Sequence, residues 1–171
     1  RPQGRNVTEK DPLKPQLPII GHADVKRMLL FQRAVVEGSL SLVLQCAYYE
    51  DMAHSAADGG KERYGLLLDL LTPVAKTYPS ETGLLAVSSS LQCFGGYGYC
   101  EDFPVEQYFR DIRIHPIHEG TTGIQGMDLL GRKVVMQNGR AVRLFFEEVQ
   151  AAVEAARETA PLAEPAGELA D

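Results

Sequence analysis

The feature that most constrains this chain is a run of apolar residues between Asp24 and the glycine pair Gly59-Gly60. Val25, Met28, Leu29, Val35, Val36, Leu40, Val43, Leu44 and Ala47 recur at three- and four-residue steps. Such steps place side chains on one side of an α-helix, whose period is 3.6 residues. At about 1.5 Å per residue the helix would be roughly 50 Å long, the rod of a bundle rather than a strut in an α/β domain. The glycine pair stops it.

The rest of the chain follows the same period in shorter pieces. Residues 1 to 20, with Pro2, Pro12, Pro15 and Pro18, read as a lead-in loop. A second helix is expected from about Glu62 to Tyr78, apolar at Leu66, Leu67, Leu68, Leu70, Leu71 and Val74 and bent at Pro73. Pro79-Ser80 restarts the chain, with Ser80 as N-cap of a third helix reaching about Phe94. Gly95-Gly96-Tyr97-Gly98-Tyr99 is a break, and Pro104 opens a fourth helix, Val105 to Ile112. A fifth begins within Thr121-Thr122 and runs to about Val135, since Thr122 and Gln125 match the capping box. Gly139 breaks the chain again before a last helix, Ala141 to about Arg157, and the Ala/Pro/Glu-rich tail from Thr159 is expected to fray. No segment alternates apolar and polar residues as strands do. The fold class is all-α, an antiparallel helical bundle without a repeat of fixed period.

Bulk properties narrow the partners. A net charge of −6 points away from nucleic acid and anionic lipid, which need a basic patch. Cys46, Cys93 and Cys100 form neither a CxxC pair nor an even set, which fits a reducing compartment, the cytoplasm or a mitochondrial matrix. No stretch of about 18 purely apolar residues suggests a membrane span. The opening Arg-Pro-Gln-Gly-Arg lacks an initiator Met and reads as a cut through a longer protein.

Two stretches could carry chemistry. In Gln92 to Tyr99, closely spaced glycines would let backbone amides approach phosphates, but no strand precedes them and no Lys-Ser/Thr follows. On composition alone, a helix end followed by a tight turn is the simpler account. In His115-Pro-Ile-His-Glu-Gly-Thr-Thr-Gly, Glu119 lies just before a helix start. The helix dipole would favour its ionised form by roughly 0.3–1 kcal/mol, as for any surface acid, while burial under a substrate would strengthen it as a base. Backbone amides at Gly120, Thr121 and Thr122 could meet an oxyanion. Of the four histidines, His115 and His118 are close, but Pro116 interrupts a regular face and no second ligand pair is near, so no metal site is expected. Arg110, Asp111 and Arg113 suit ion pairs, and Tyr48 and Tyr49 suit packing at the rim of a core.

Read together, Gln92 to Lys133 closely resembles the C-terminal signature of the acyl-CoA dehydrogenase family: Q-x-x-G-G-x-G-[FY], then [FY]-P-V-E, then R-D, then E-G-T. The resemblance implies an FAD enzyme that oxidises the Cα–Cβ bond of an acyl-CoA to the enoyl-CoA, with Glu119 as the base that takes the α-proton while hydride passes to flavin N5. It implies FAD contacts at Arg1, Gln92, Cys93, Phe94, Gly95, Gly96, Thr121, Thr122 and Gly123, and a substrate contact at Gly120. The opening Arg1 to Arg5 is similar to R-x-x-F-G-K, with Gln3 in place of Phe and Arg5 in place of Lys. Gly123 stands where many members have Gln, and His118 where an aromatic Tyr is common. Implied with these are an electron-transferring flavoprotein as acceptor, a homodimer or homotetramer, and three segments: 1–20 from a preceding domain, 21–138 the helical domain, and 139–171 the start of a further helical extension. An acyl-CoA oxidase remains open, as does a non-catalytic oligomerisation or DNA-damage-response module. A nitroalkane-oxidising relative would carry Asp where Glu119 stands.

Overall fold

The computed structural model describes residues 1–57 and 59–169 and is all-α. The helices are α1 (Ala23–Ser55), α2 (Gly60–Phe94), α3 (Val105–Ile112), α4 (Thr122–Asp128), α5 (Arg140–Arg157) and α6 (Ala163–Glu168). Among the described residues no β-strand forms; one isolated bridge pairs Pro2 with Pro18, and a 3₁₀ turn at Ile19–Gly21 leads into α1. Two compact units divide the chain, Arg1–Leu42 with Thr77–Thr121 and Val43–Lys76 with Thr122–Asp171.

The long rod is present, ending at Ser55, a few residues before the glycine pair. Its buried positions are fewer than its apolar ones. Met28, Val35 and Tyr49, seven and then fourteen residues apart, are buried, whereas Leu30, Val36, Leu40 and Leu44 are each more than half exposed. By length and composition α1 also meets the minimum for a membrane-crossing helix, the one such helix among the described residues.

Where two helices were expected between residues 62 and 94, one forms. Helix α2 continues through both Pro73 and Pro79. A helix-interior proline costs about 3 kcal/mol, because it removes one hydrogen bond and crowds the preceding turn. Leu66, Leu67, Leu70, Leu71 and Ala86 are all buried on this helix, and Pro73 is itself fully buried, so both prolines are carried by packing. At roughly 1.5–3 kcal/mol for each fully buried large side chain, that burial outweighs the two prolines. Ser80 does not cap forward; its hydroxyl donates back to the Thr77 carbonyl at 3.1 Å, the bond of a serine inside a helix.

In the second unit Leu66, Leu70 and Ala141 form a core with Leu129, Val134, Met136 and Phe145 packed against it. Arg63 joins α2 to α5, donating to Glu147 and to Glu148 at 2.8 Å each. The fifth expected helix is broken: α4 ends at Asp128 and a π-turn, Leu129–Lys133, follows. The wider turn, with the Val134 amide bonded to the Leu129 carbonyl at 2.9 Å, accompanies a buried Lys133 that pairs with Asp69. Gln137, Asn138 and Gly139 then all take positive φ before α5. The tail does not simply fray, for α6 forms within it and buries Ala166. Leu67→Ala should lower stability by about 2–5 kcal/mol, against under about 0.5 for the exposed Leu85→Ala, measured by urea denaturation.

Candidate functional site

The first unit assembles a rim from both ends of its sequence. Helix α2 ends at Phe94, Gly95 takes φ 65°, and Gly95–Tyr99 coils into a 3₁₀ turn. Gly98 is buried there, and an added Cβ would lie 2.9 Å from the Leu91 side chain and 3.1 Å from its carbonyl oxygen, so only glycine fits. The N-terminal segment is held by backbone bonds: the Gln3 amide to the Leu17 carbonyl at 2.8 Å, and the Ile19 amide to the Arg1 carbonyl at 2.9 Å. This brings the Arg1 guanidinium over the Tyr97 ring, 5.2 Å from its centre, with one amine donating to the Phe94 carbonyl at 3.5 Å. An added Cβ on Gly95 would stand 3.2 Å from that amine.

Two hollows flank this contact. One of about 370 Å³ is lined by Arg1, Ile19, Leu29, Cys93, Phe94, Tyr97 and Phe103. The other, about 220 Å³, is lined by Ser88, Leu91, Gln92, Gly95, Gly96, Tyr99 and Phe109. The structure thus joins Arg1 with Gln92–Gly96, two groups far apart in sequence. Sequence reasoning missed Tyr97, Phe103, Ile19 and Leu29, whose long-range meeting no local pattern signals.

The carboxylate segment follows α3. Val105 is buried at the helix start, and an added Cβ on Gly83 of α2 would meet the Ile112 side chain at 3.0 Å, so α3 lies close against α2. After Ile112 the chain turns tightly: the amides of Ile117 and His118 both bond to the Ile114 carbonyl, at 2.9 and 3.1 Å, and Pro116 is buried. Glu119 is exposed and takes φ 55°, and Gly120 takes φ 92°. A non-glycine residue held in the left-handed region costs about 1–2 kcal/mol, and such outliers concentrate at functional sites. In sequence, Glu119, Gly120 and Thr121 immediately precede α4, which starts at Thr122. Thr122 and Gly123 belong to the second unit, and Glu119, Gly120 and Thr121 to the first. At the far end of α4, a hydrogen bond from Arg132 at 2.6 Å holds the Asp128 carboxyl below its usual range.

Comparison with known proteins shows the family of the chain. Residues 14–135 match the acyl-CoA dehydrogenase C-terminal domain, and the chain belongs to that family. It is 40% identical over 135 residues to a 3-methylmercaptopropionyl-CoA dehydrogenase of Ruegeria pomeroyi, covering 79% of this chain and 23% of that protein. It is 34% identical over 140 residues to a butyryl-CoA dehydrogenase of Syntrophomonas wolfei, covering 81% and 23%. Against the broad-specificity linear acyl-CoA dehydrogenase FadE5 of Mycobacterium tuberculosis it is 37% identical over 153 residues, covering 88% and 25%. The chain therefore spans about a quarter of the length of these relatives.

Because Gly120 has a φ of 92°, which side chains rarely adopt, Gly120→Ala should lower stability by about 1 kcal/mol or more. Thermal unfolding beside Gly126→Ala, a glycine with open space and no positive φ, would measure it.

Proposed function

We propose that this chain is the C-terminal part of an FAD-dependent acyl-CoA dehydrogenase acting on an acyl-CoA thioester, with Glu119 as the base that removes the α-proton. One observation carries the reading: a family member places its E-G-T carboxylate on a left-handed residue, directly before the start of α4. A C–H beside a thioester carbonyl is only weakly acidic, so removing it needs a positioned carboxylate together with a hydrogen bond to the carbonyl oxygen. Glu119 brings both groups, its side chain as base and its backbone N–H as donor, and Gly120 leaves room for the acyl chain. The named substrates of the relatives above differ in the acyl part and share the CoA thioester, which is the part this chemistry engages.

The residues present fit the cofactor that the family implies. A guanidinium stacked on Tyr97 beside the glycine turn offers charge, an aromatic surface and a bare backbone to a dinucleotide. In this reading Arg1, Gln92, Cys93, Phe94, Gly95 and Gly96 hold one FAD portion, and Thr121, Thr122 and Gly123 another. FAD, when bound, supplies the acceptor for the β-hydride. Residues 1–20 lead in from a preceding domain, 21–138 form the helical domain, and 139–171 open an extension beyond the left-handed turn at Gln137–Gly139.

The protein works as a homodimer or homotetramer that passes electrons to an electron-transferring flavoprotein, without nucleic acid as a partner. The exposed stripe Leu30, Val36, Leu40 and Leu44 supports a covered surface on α1. We read α1 as a bundle helix and not a membrane span, because Met28, Val35 and Tyr49 are buried against protein and a charged pair, Arg33–Glu37, sits along it. The free thiols of Cys46, Cys93 and Cys100 fit the cytoplasm or a mitochondrial matrix.

The test uses the full-length flavoprotein, mixed anaerobically with a panel of saturated acyl-CoAs. Glu119→Gln should keep ligand binding but slow flavin bleaching by about 10²–10⁴-fold; wild-type enzyme that never bleaches, or a variant that bleaches as fast, would defeat the reading. Arg1→Ala should weaken FAD retention by roughly five- to tenfold, followed by flavin fluorescence on dilution.

A further inference from the structure

The turn that carries Glu119 also holds two imidazoles side by side, a feature the proposed reaction does not use. The rings of His115 and His118 have centres 5.4 Å apart, tilted by 47°. Two imidazoles that share one zinc ion, each nitrogen about 2.0–2.1 Å from the metal at a tetrahedral angle, have ring centres roughly 5 Å apart. The His118 Nδ1 lies 3.2 Å from the Ile114 carbonyl oxygen. A carbonyl only accepts, so Nδ1 carries the hydrogen, and the neutral ring that a metal requires then has its lone pair on Nε2. A backbone carbonyl orienting one ring nitrogen while the other is left for the ion is the arrangement common to metal-bound histidines.

The backbone between the rings is already fixed. The His115 amide bonds to the Ile112 carbonyl at 3.1 Å, the Ile117 and His118 amides share the Ile114 carbonyl, and Pro116 is buried. Little chain entropy is left to lose when an ion arrives. Pro116 interrupts a helical face, as the sequence indicates, but the turn it shapes sets the two rings together. Both rings are exposed, so water can complete the coordination sphere.

We propose that His115 and His118 form a two-histidine chelate for a borderline divalent cation of the Zn²⁺ class, bound exchangeably on the turn that leads to Glu119. Among the described residues no group of three His, Cys, Asp or Glu side chains is placed to hold a metal, so the remaining positions fall to water and the site is a weak one. His54 provides an internal comparison, since its Nδ1 also faces a backbone carbonyl, that of Glu50 at 2.8 Å, and no described ring contact gives it a second imidazole.

The test is equilibrium dialysis of the full-length, FAD-loaded protein against Zn²⁺, with bound metal measured by atomic emission. Wild type should bind one ion that His115→Ala and His118→Ala each weaken by about tenfold or more, and that His54→Ala leaves unchanged. No binding by wild type at millimolar Zn²⁺, or equal binding by all four proteins, would overturn the proposal. A second arm rests on the proposed function: Zn²⁺ should inhibit acyl-CoA-dependent bleaching in wild type and less so in His118→Ala. The dialysis result stands or falls independently of whether Glu119 proves to be the base.

Discussion

The continuity of α2 through two prolines is the constraint on which the other elements depend. Leu66 and Leu70 on this helix form the second unit's core with Ala141 of α5. At its other end, in the first unit, Phe94 hands over to the glycine turn against which Arg1 stacks. Breaking the helix at Pro79 would free Gly83 from its approach to Ile112, and with it the position of α3 and of the turn that follows. The two missing amide hydrogen bonds are a local cost of about 3 kcal/mol each, set against buried leucine side chains along the same face. The helix persists because burial of those leucines outweighs the bonds lost.

Successive left-handed residues occur at two places in the C-terminal half, and one of them is where chemistry is proposed. Glu119 and Gly120 adopt positive φ in succession, and three further residues, Gln137 to Gly139, do so before α5. For two members of the second cluster, Asn138 and Gly139, there is a structural account. Asn and Gly tolerate the left-handed region, and the Asn138 carbonyl there accepts a hydrogen bond from Arg143 at 2.7 Å. Glu119 belongs to neither tolerant class, so its conformation is held by the turn around it. The left-handed φ sets the direction in which the Glu119 side chain leaves the backbone, which suits the base role proposed for it.

Much of this was legible in the sequence, and the remainder was hidden for physical reasons. The period of α1, the span Val105–Ile112 and the starts of α4 and α5 within a residue follow from local spacing and capping chemistry. The single α2 did not follow, because proline and serine signals are local whereas the burial of Leu67 and Pro73 is tertiary. The π-turn was equally hidden: no local rule anticipates a lysine turned inward to Asp69, 64 residues away. At the candidate site, Gln92–Gly96 and Glu119–Gly123 could be proposed from sequence because their residue types lie in order along the chain. The stacking of Arg1 on Tyr97 could not, since it depends on the pairing of Pro2 with Pro18.

Helix α1 shows how a periodic sequence can be correct about a helix and silent about its surroundings. Its apolar residues form two neighbouring stripes, one passing through Met28, Val35 and Tyr49 and the other through Leu29, Val36 and Val43. The first is buried and the second is 38–61% exposed. Helical period alone assigns both to one broad apolar face, and only packing separates them. A soluble protein seldom leaves such a stripe to water, and this chain spans about a quarter of its relatives' length. In the proposed reading, the exposed stripe is interior surface whose cover lies in the rest of the protein or in a second subunit. The same logic applies to Glu119: exposed in this chain, it would be enclosed by pocket walls that the remainder of the enzyme supplies.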